Sequence, residues 1–154
     1  MMAYDEIQCK FGGKWKLDRS ENFEDFLQEM GVNVVLRKIA SKASPQMEIS
    51  IEDNKVKIAM KTGFFTSIDL FSIGEEYMKE LQGIWMKAIP AYEGGKIIIK
   101  QTPIDPKGAV KPQTVHRELV GDEMVLVRIY NKANPYRSPK YSKITDSTQR
   151  VSRR

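Results

Sequence analysis

The stretch MEISIEDNKVKIAMK, residues 47–61, predicts a β-hairpin and so indicates the class of the fold. The Asp-Asn pair at its centre favours a tight type I′ turn. Counting outward from that turn, one face pairs Glu52 with Lys55 and Ser50 with Lys57, and the other face is wholly apolar. The apolar face comprises Met47, Ile49, Ile51, Val56, Ile58 and Met60. One charged and one apolar face are typical of a half-buried antiparallel sheet.

Further short strands are predicted on both sides of this hairpin. FGGKWKLD alternates Phe11, Gly13, Trp15 and Leu17 with polar or small residues, and FTSIDLFSI, QGIWMKAI and KIIIKQT follow the hairpin. Pro90 within this run requires a bulge or an edge position. We expect Trp15 to be structural and to fill one end of the core. Many short strands joined by tight turns indicate an antiparallel sandwich or barrel.

Between the first strand and the hairpin the apolar residues change to helical spacing. In RSENFEDFLQEMG the stripe is Phe23, Phe26, Leu27 and Met30, and a glycine ends the segment. In VNVVLRKIASKASP, Asn33 is the expected N-cap, Val35 belongs to the apolar stripe and Pro45 ends the segment. Two short helices after one strand are expected to cover an open end of the sheet.

A second hairpin, TVHRELVGDEMVLVRIYNK at residues 114–132, places two arginines on an apolar face. Its Gly-first loop suits a type II′ turn, which sets Arg117 opposite Leu126 and Arg128 opposite Val115. The arginines are then diagonal neighbours, and Tyr130 extends the same face. Like charges in an apolar lining are costly unless an anion pairs with them.

The same hairpin allows an opposite orientation. If Val125, Val127 and Ile129 point inward, the arginines lie in solvent and need no partner. The hairpin residues alone leave the two readings equally open.

Composition and charge narrow the class of protein. The chain has 154 residues, 41% of them hydrophobic, and no apolar run approaches the roughly 20 residues that span a bilayer. The N-terminus lacks the apolar core of a signal peptide, and the single Cys9 cannot form an internal disulfide, so we expect a cytoplasmic protein. These features predict one domain, with residues 1–10 as a loose N-terminal extension and the barrel over residues 11–144.

The net charge of +5 is concentrated near the C-terminus. From Lys132 to Arg154 there are seven basic residues against Asp146 alone, so the preceding chain is close to neutral. Residues 145–154 are polar and aperiodic, and we interpret them as a basic, disordered tail.

The motif FGGKWKLDRSENFEDFLQEMGV closely resembles the N-terminal signature of the intracellular lipid-binding proteins, the fatty-acid-binding protein family. The resemblance continues through RKIASKASPQMEIS, FFTSID and IGEEY, and covers roughly residues 11–130. It implies an all-β fold, a ten-strand antiparallel β-barrel of the calycin (lipocalin-like) type with a helix-turn-helix lid between the first two strands. It also implies non-covalent binding and intracellular transport of long-chain fatty acids in an internal cavity.

Members of that family hold the ligand carboxylate with an arginine on the eighth strand and an Arg-x-Tyr pair on the last strand. Arg117 matches the first position, which favours the reading with the arginines inward. Arg128 and Tyr130 resemble the closing pair but follow Arg117 too soon. Either one strand is lost and they are the anchor, or they lie on the ninth strand and residues 134–144 form the last, where Arg137 and Tyr141 approximate the anchor. Parity puts Arg128 and Tyr130 inward in both cases, so we expect Arg117, Arg128 and Tyr130 to hold the ligand, with Arg137 and Tyr141 in reserve.

The resemblance also implies an entrance to the cavity. Phe64 matches an aromatic residue there, and Phe23, Phe26 and Leu27 are expected to line the cavity or its mouth. Basic residues of the second helix, Arg37, Lys38 and Lys42, or the basic tail, would make transient contact with anionic membranes.

Other functions are less well supported by the sequence. The single His116 is expected to point outward, and no catalytic grouping, metal-ligand cluster or cofactor motif is recognisable. A nucleic-acid-binding barrel would need a basic, aromatic platform on the nearly neutral body. We therefore expect a monomeric carrier with no enzymatic activity, no cofactor and no nucleic acid partner. A carrier of retinoic acid or another amphipathic acid, or a membrane-associated lipid-binding protein, is the alternative.

Overall fold

The computed structural model describes residues 2–21, 28, 33–35, 37–38, 46–62, 65–81, 84–105, 112–132 and 143–153. The elements whose bounds lie within these described residues are one helix and the ten strands that follow it. They are α1 (Met2–Phe11), β1 (Gly13–Glu21), β2 (Gln46–Glu52), β3 (Lys55–Thr62), β4 (Phe65–Phe71), β5 (Tyr77–Leu81), β6 (Ile84–Glu93), β7 (Lys96–Pro103), β8 (Gln113–Val120), β9 (Glu123–Lys132) and β10 (Lys143–Arg153).

The strands form a single antiparallel sheet in the order β4-β3-β2-β1-β10-β9-β8-β7-β6-β5. Strands that are consecutive in the chain are neighbours in the sheet, except β4 and β5, and β10 also pairs with β1, so that the first and last strands lie side by side. The outermost strands, β4 and β5, share no ladder but meet through side chains, as when a sheet curls into a barrel. The predicted ten-stranded antiparallel fold is confirmed.

Both predicted hairpins have the expected register. Asp53 and Asn54 both have positive φ, at 50° and 61°, as a type I′ turn requires. In the later hairpin Gly121 has φ 64° and begins the two-residue loop. Arg117 pairs with Leu126 there, as predicted.

The interpretation of residues 145–154 as a disordered tail is wrong. Residues 145–153 belong to β10, which pairs with β9 on one side and with β1 on the other. This strand hides two edges that would otherwise expose unpaired backbone groups, so pairing on both sides outweighs its low apolar content. The last strand is also not residues 134–144, as one alternative required.

The N-terminal residues form a helix rather than a loose extension. Ile7 and Phe11 of α1 are fully buried in the core, and β1 begins at Gly13 instead of Phe11. Gly12 makes the reversal between helix and strand, where its N–H donates to the Gln8 carbonyl over 3.0 Å. A Cβ on Gly12 would lie 2.4 Å from that carbonyl oxygen, which explains the glycine.

Helix α1 covers one end of the barrel. Tyr4 accepts a hydrogen bond from the Ile73 N–H over 3.0 Å, next to the β4–β5 connection. Tyr92, near the end of β6, donates to Glu6 over 2.8 Å. The connection from β1 to β2 leaves from the opposite end, where the helical lid was predicted.

The core runs from α1 along the inner face of the sheet. Trp15 is 1% exposed and donates from Nε1 to the Phe11 carbonyl over 2.8 Å, which confirms its structural role. Pro90 is accommodated inside β6 because the ladder with β5 ends at Ala88. Its carbonyl accepts instead from the Gly74 N–H over 2.9 Å.

Most of the two predicted lid helices lies outside the described residues. Within the described part, the Arg37 N–H donates to the Asn33 carbonyl over 2.9 Å, a helical bond that fits a helix start at Asn33. Val35, expected on the apolar stripe, is 64% exposed.

Candidate functional site

Arg117 is the most deeply buried basic side chain of the described inner wall. It lies on β8 between Ile97 and Leu126, both buried, and is itself 5% exposed. Its Nε and Nη1 have no hydrogen-bond partner among the described residues. Two buried, unsatisfied donors on a cation are costly, so the position is suited to an anion.

The electrostatics of Arg117 follow from this burial. Burial lowers its pKa, and the negative charge of Asp69, together with Tyr77, opposes that shift. Arginine nevertheless stays protonated in proteins near neutral pH. The inner wall therefore carries a fixed positive charge at this point.

Arg128 shares the same face, one diagonal step from Arg117. It lies on β9 opposite the buried Val115 and is partly buried. Burial first, and the neighbouring Arg117 second, lower the pKa of Arg128 to about 9. The hairpin therefore has the arginine-bearing face inward, as the resemblance implied. Tyr130 lies on β9 opposite Gln113, in the backbone register that shares this face.

A second polar group lies across the seam between β4 and β5. Lys79 Nζ lies 2.9 Å from Oδ1 and 3.0 Å from Oδ2 of Asp69, which is on β4. Tyr77 donates to Asp69 Oδ1 over 3.1 Å and stacks on Phe71 with ring centroids 5.1 Å apart. Burial, followed by Asp69, raises the pKa of the Tyr77 hydroxyl, so this group stays protonated. These contacts hold the unpaired strands together.

Two amides complete the polar part of the wall. Gln113 Nε2 on β8 donates to Gln101 Oε1 on β7 over 2.7 Å, and Gln101 is 5% exposed. Their row adjoins the row of Val115 and Arg128. The remaining buried positions of the inner wall are largely apolar, which suits a long hydrocarbon.

Several predicted site residues cannot be placed. Phe23, Phe26, Leu27, Phe64, Arg137 and Tyr141 lie outside the described residues, and of Tyr130 only the backbone position is described.

The expected Arg-x-Tyr pair is not on the last strand. Arg128 and Tyr130 belong to the ninth strand, as the second alternative placed them, but the last strand is β10 (Lys143–Arg153) instead of residues 134–144. In β10 the positions opposite Leu126 and Arg128 are Gln149 and Ser147. The described residues include all ten strands, and the second arginine on the face of Arg117 lies on β9.

In the described part of the chain, no helix is long and apolar enough to cross a membrane, and no cluster of His, Cys, Asp or Glu could hold a metal ion. His116 lies on the face opposite to Arg117 and is partly buried.

Comparison with known proteins decides the family. A family model described as the lipocalin / cytosolic fatty-acid binding protein family matches residues 12–133. The chain belongs to this family. The resemblance recognised in the sequence is thereby confirmed, and the family is named for lipid binding rather than for a reaction.

Curated relatives in this family include two with different named ligands. The cellular retinoic acid-binding protein 1 of Takifugu rubripes is 41% identical over 122 residues, which is 76% of this chain and 87% of that protein. The intestinal fatty acid-binding protein of Bos taurus is 36% identical over 126 residues, or 78% and 89% of the two chains.

Solved structures in the family share the fold. Apo lipid binding protein 8 of Caenorhabditis elegans superposes with a TM-score of 0.80, at 23% identity, over 94% of this chain and 95% of its own. A protein described as the REP1-NXSQ fatty acid transporter superposes with a TM-score of 0.75, at 28% identity, over 93% and 95%. The calycin-type fold is therefore established for this family member.

The sequence reasoning missed the polar group at the seam. Asp69 alternates with Phe71 and so could have been placed inward, but Ile68 and Leu70 give the opposite face a stronger apolar signal. In the structure Ile68 and Leu70 are 54% and 46% exposed. The β5 strand was not predicted either, so the inward position of Lys79 on that strand was not predicted.

Proposed function

We propose that this protein binds a long-chain fatty acid inside the barrel and carries it through the cytosol, with the carboxylate at Arg117. The observation that carries the proposal is the pair of buried Arg117 donors, Nε and Nη1, that have no partner among the described residues. A carboxylate accepts charge-assisted hydrogen bonds from a guanidinium, so a ligand carboxylate beside Arg117 would supply the acceptor that these buried donors lack.

The remaining anchor residues follow from the same geometry. Arg128 is close enough to Arg117 for the charge of Arg117 to lower the pKa of Arg128. A negatively charged ligand would favour the protonated form of both arginines. Tyr130 shares the register of that face and could donate a further hydrogen bond. Arg137 and Tyr141 stay reserve candidates, and Phe23, Phe26, Leu27 and Phe64 are proposed for the apolar lining and entrance.

Retinoic acid is the second candidate ligand. It combines a carboxylate with a long apolar body, so the same arginines would suit it. The relative that is 41% identical is named for retinoic acid, and the relative that is 36% identical is named for fatty acid. We favour fatty acid because a flexible chain can follow a wall interrupted by the polar seam at Asp69.

Delivery to membranes is a further part of the proposal. Lys38 is exposed and Arg37 is partly buried in the segment that follows Asn33. Exposed basic residues there would favour transient contact with anionic lipid surfaces, and the carrier would act as a monomer without enzymatic activity.

Calorimetric titration of delipidated protein with oleate and with retinoic acid tests the proposal. Wild type is expected to bind oleate near one-to-one, and Arg117→Gln to lose about tenfold or more in affinity, because charge-assisted hydrogen bonds are lost. Arg128→Gln is expected to weaken binding as well. Lys100→Gln removes one positive charge from an exposed position of β7 and should bind like wild type.

Two results would contradict the proposal. Wild type that binds neither acid would exclude the function, and Arg117→Gln that binds oleate as well as Lys100→Gln does would exclude the anchor. Tighter binding of retinoic acid than of oleate would replace the first candidate ligand with the second.

A further inference from the structure

The group formed by Asp69, Tyr77 and Lys79 lies on the inner wall of the barrel. Asp69 is opposite Ile58, which is 1% exposed. Tyr77 and Lys79 are opposite Ala88 and Met86, which are both fully buried. The side chains of Lys79 and Asp69 are 9% and 7% exposed, so their charges are nearly removed from bulk water.

Holding β4 and β5 together does not by itself require these residue types. Burying an ion pair costs desolvation free energy, and an apolar replacement of similar volume is often equally stable or more stable. The stacked Phe71 and Tyr77 rings already join the two strands. The charged pair in an otherwise apolar seam therefore suggests a role in recognition.

The group retains unused hydrogen-bonding capacity on both sides. The Lys79 ammonium has three N–H donors, and Asp69 is its only acceptor in the described structure, through two oxygens. The Tyr77 hydroxyl donates its hydrogen bond to Asp69 Oδ1, so the hydroxyl oxygen of Tyr77 can still accept one. Because both groups bond to the same oxygen of Asp69, a spare donor and a spare acceptor lie close together.

A hydroxyl group complements this arrangement, since it accepts one hydrogen bond and donates another. It would accept from Lys79 and donate to the Tyr77 oxygen. A second carboxylate fits less well, because Asp69 already neutralises Lys79 and would repel it. A plain hydrocarbon would leave the spare donor and acceptor unsatisfied.

This group is separate from the carboxylate anchor. Arg117 is on β8, and Tyr77 and Lys79 are on β5, three strand spacings away in the sheet. That is about 14 Å along the wall, although the long side chains shorten the gap between their polar ends. Arg117 and Asp69 influence each other electrostatically without forming an ion pair. One ligand could reach both with its head and with a point along its chain.

We propose that Lys79 and Tyr77, held by Asp69, form a second recognition point that binds a hydroxyl group part-way along the ligand chain, so that the preferred ligand is a hydroxylated long-chain acid. This inference rests on the proposed function, because it takes the carboxylate at Arg117 as given. Beyond the carboxylate, it specifies a hydroxyl substituent that would distinguish the preferred acid from unsubstituted acids of equal chain length.

The test compares stearate with a series of hydroxystearates that differ only in hydroxyl position, by titration into delipidated full-length protein. At least one position should bind about three- to tenfold more tightly than stearate, which corresponds to one or two net hydrogen bonds. Tyr77→Phe should bring that affinity ratio close to one. Tyr92→Phe removes a tyrosine hydroxyl that bonds to Glu6 outside this group, and should keep the ratio.

A second variant separates recognition from a purely structural role. Asp69→Leu with Lys79→Met replaces the ion pair by apolar side chains, and should abolish the preference in a protein that remains folded. A ratio near one at every hydroxyl position in wild type would overturn the inference, as would a preference that survives in Tyr77→Phe. Either result leaves stearate binding, and so the proposed function, intact. Loss of stearate binding in wild type would instead contradict the proposed function.

Discussion

Arg117 and Arg128 lie diagonally across the β8–β9 ladder, with Arg117 opposite Leu126 and Arg128 opposite Val115. Both therefore lie on the inner wall, and the positive charge of Arg117 adds to burial in lowering the pKa of Arg128. Two adjacent arginines on an apolar wall lower the free energy of unfolding of the empty protein, compared with apolar residues at the same positions. Such a cost is expected where a binding site is prepared for an anion.

Removing the buried charge should stabilise the empty protein. Arg117→Met is expected to raise the free energy of unfolding without ligand by about 1 kcal/mol or more, because an unsatisfied cation is replaced by an apolar side chain of similar length. Urea unfolding of delipidated protein measures this, with Lys100→Met as a solvent-exposed control. A large loss of stability in Arg117→Met would mean that the guanidinium has a structural partner.

The seam between β4 and β5 should depend on a matched ion pair. Asp69→Leu alone leaves Lys79 buried without its counter-charge and is expected to cost about 3 kcal/mol of unfolding free energy. Asp69→Leu combined with Lys79→Met should recover most of that loss, as a double-mutant cycle by urea unfolding would show. An additive double variant would contradict the coupling. Lys87→Met, in an exposed ion pair with Glu76, should change stability by less than about 1 kcal/mol.

Helix α1 should contribute to the core. Ile7 is fully buried, so Ile7→Ala is expected to cost about 2–4 kcal/mol through lost apolar burial and the cavity left behind. Cys9→Ala on the same helix changes an exposed side chain and should have little effect. Thermal unfolding of both variants tests this. Equal melting temperatures would indicate that the helix does not pack on the barrel in solution.

His116 should make stability depend on pH below its ordinary pKa. Burial first, and then the charge of Lys96, lower the pKa of His116 in the folded state, while Glu118 opposes the shift. The unfolded chain therefore binds the proton more readily, so stability falls as the pH drops below about 6.5. His116→Gln should flatten that part of the stability curve, measured by urea unfolding between about pH 7.5 and pH 5. An unchanged slope would contradict the assignment.

Much of the fold could be predicted from local pattern. The 47–61 and 114–132 hairpins each combine a two-residue turn with alternating faces, and the register of both is as predicted. The turn residues and the alternation of apolar and polar side chains are local features, so they can be recognised in a single sequence. The family signature supplied the number of strands.

The errors arose where tertiary pairing outweighs local preference. β10 has few apolar residues and reads as a tail, yet it pairs with β1 and β9, which are distant in sequence. Residues 1–10 show only a short apolar stripe, and their helix is fixed by contacts with distant residues such as Ile73 and Tyr92. For the site, parity put Arg117 and Arg128 on one face and the family resemblance favoured that face inward, but the partnership of Asp69 and Lys79 was not predicted, because it spans an unpaired seam.

Carbon NMR of oleate labelled at the carboxyl carbon and bound to the delipidated protein tests directly whether the ligand carboxylate lies at Arg117 inside the barrel. A carboxylate paired with buried Arg117 should have a pKa well below the usual value of about 4.3, so its resonance should stay nearly constant as the pH falls from about 8 to about 4, a range in which a solvated carboxyl group becomes largely protonated. In Arg117→Gln the resonance should shift within that range or the ligand should dissociate. A wild-type resonance that titrates like a solvated carboxyl group would place the head group outside the barrel and contradict the account.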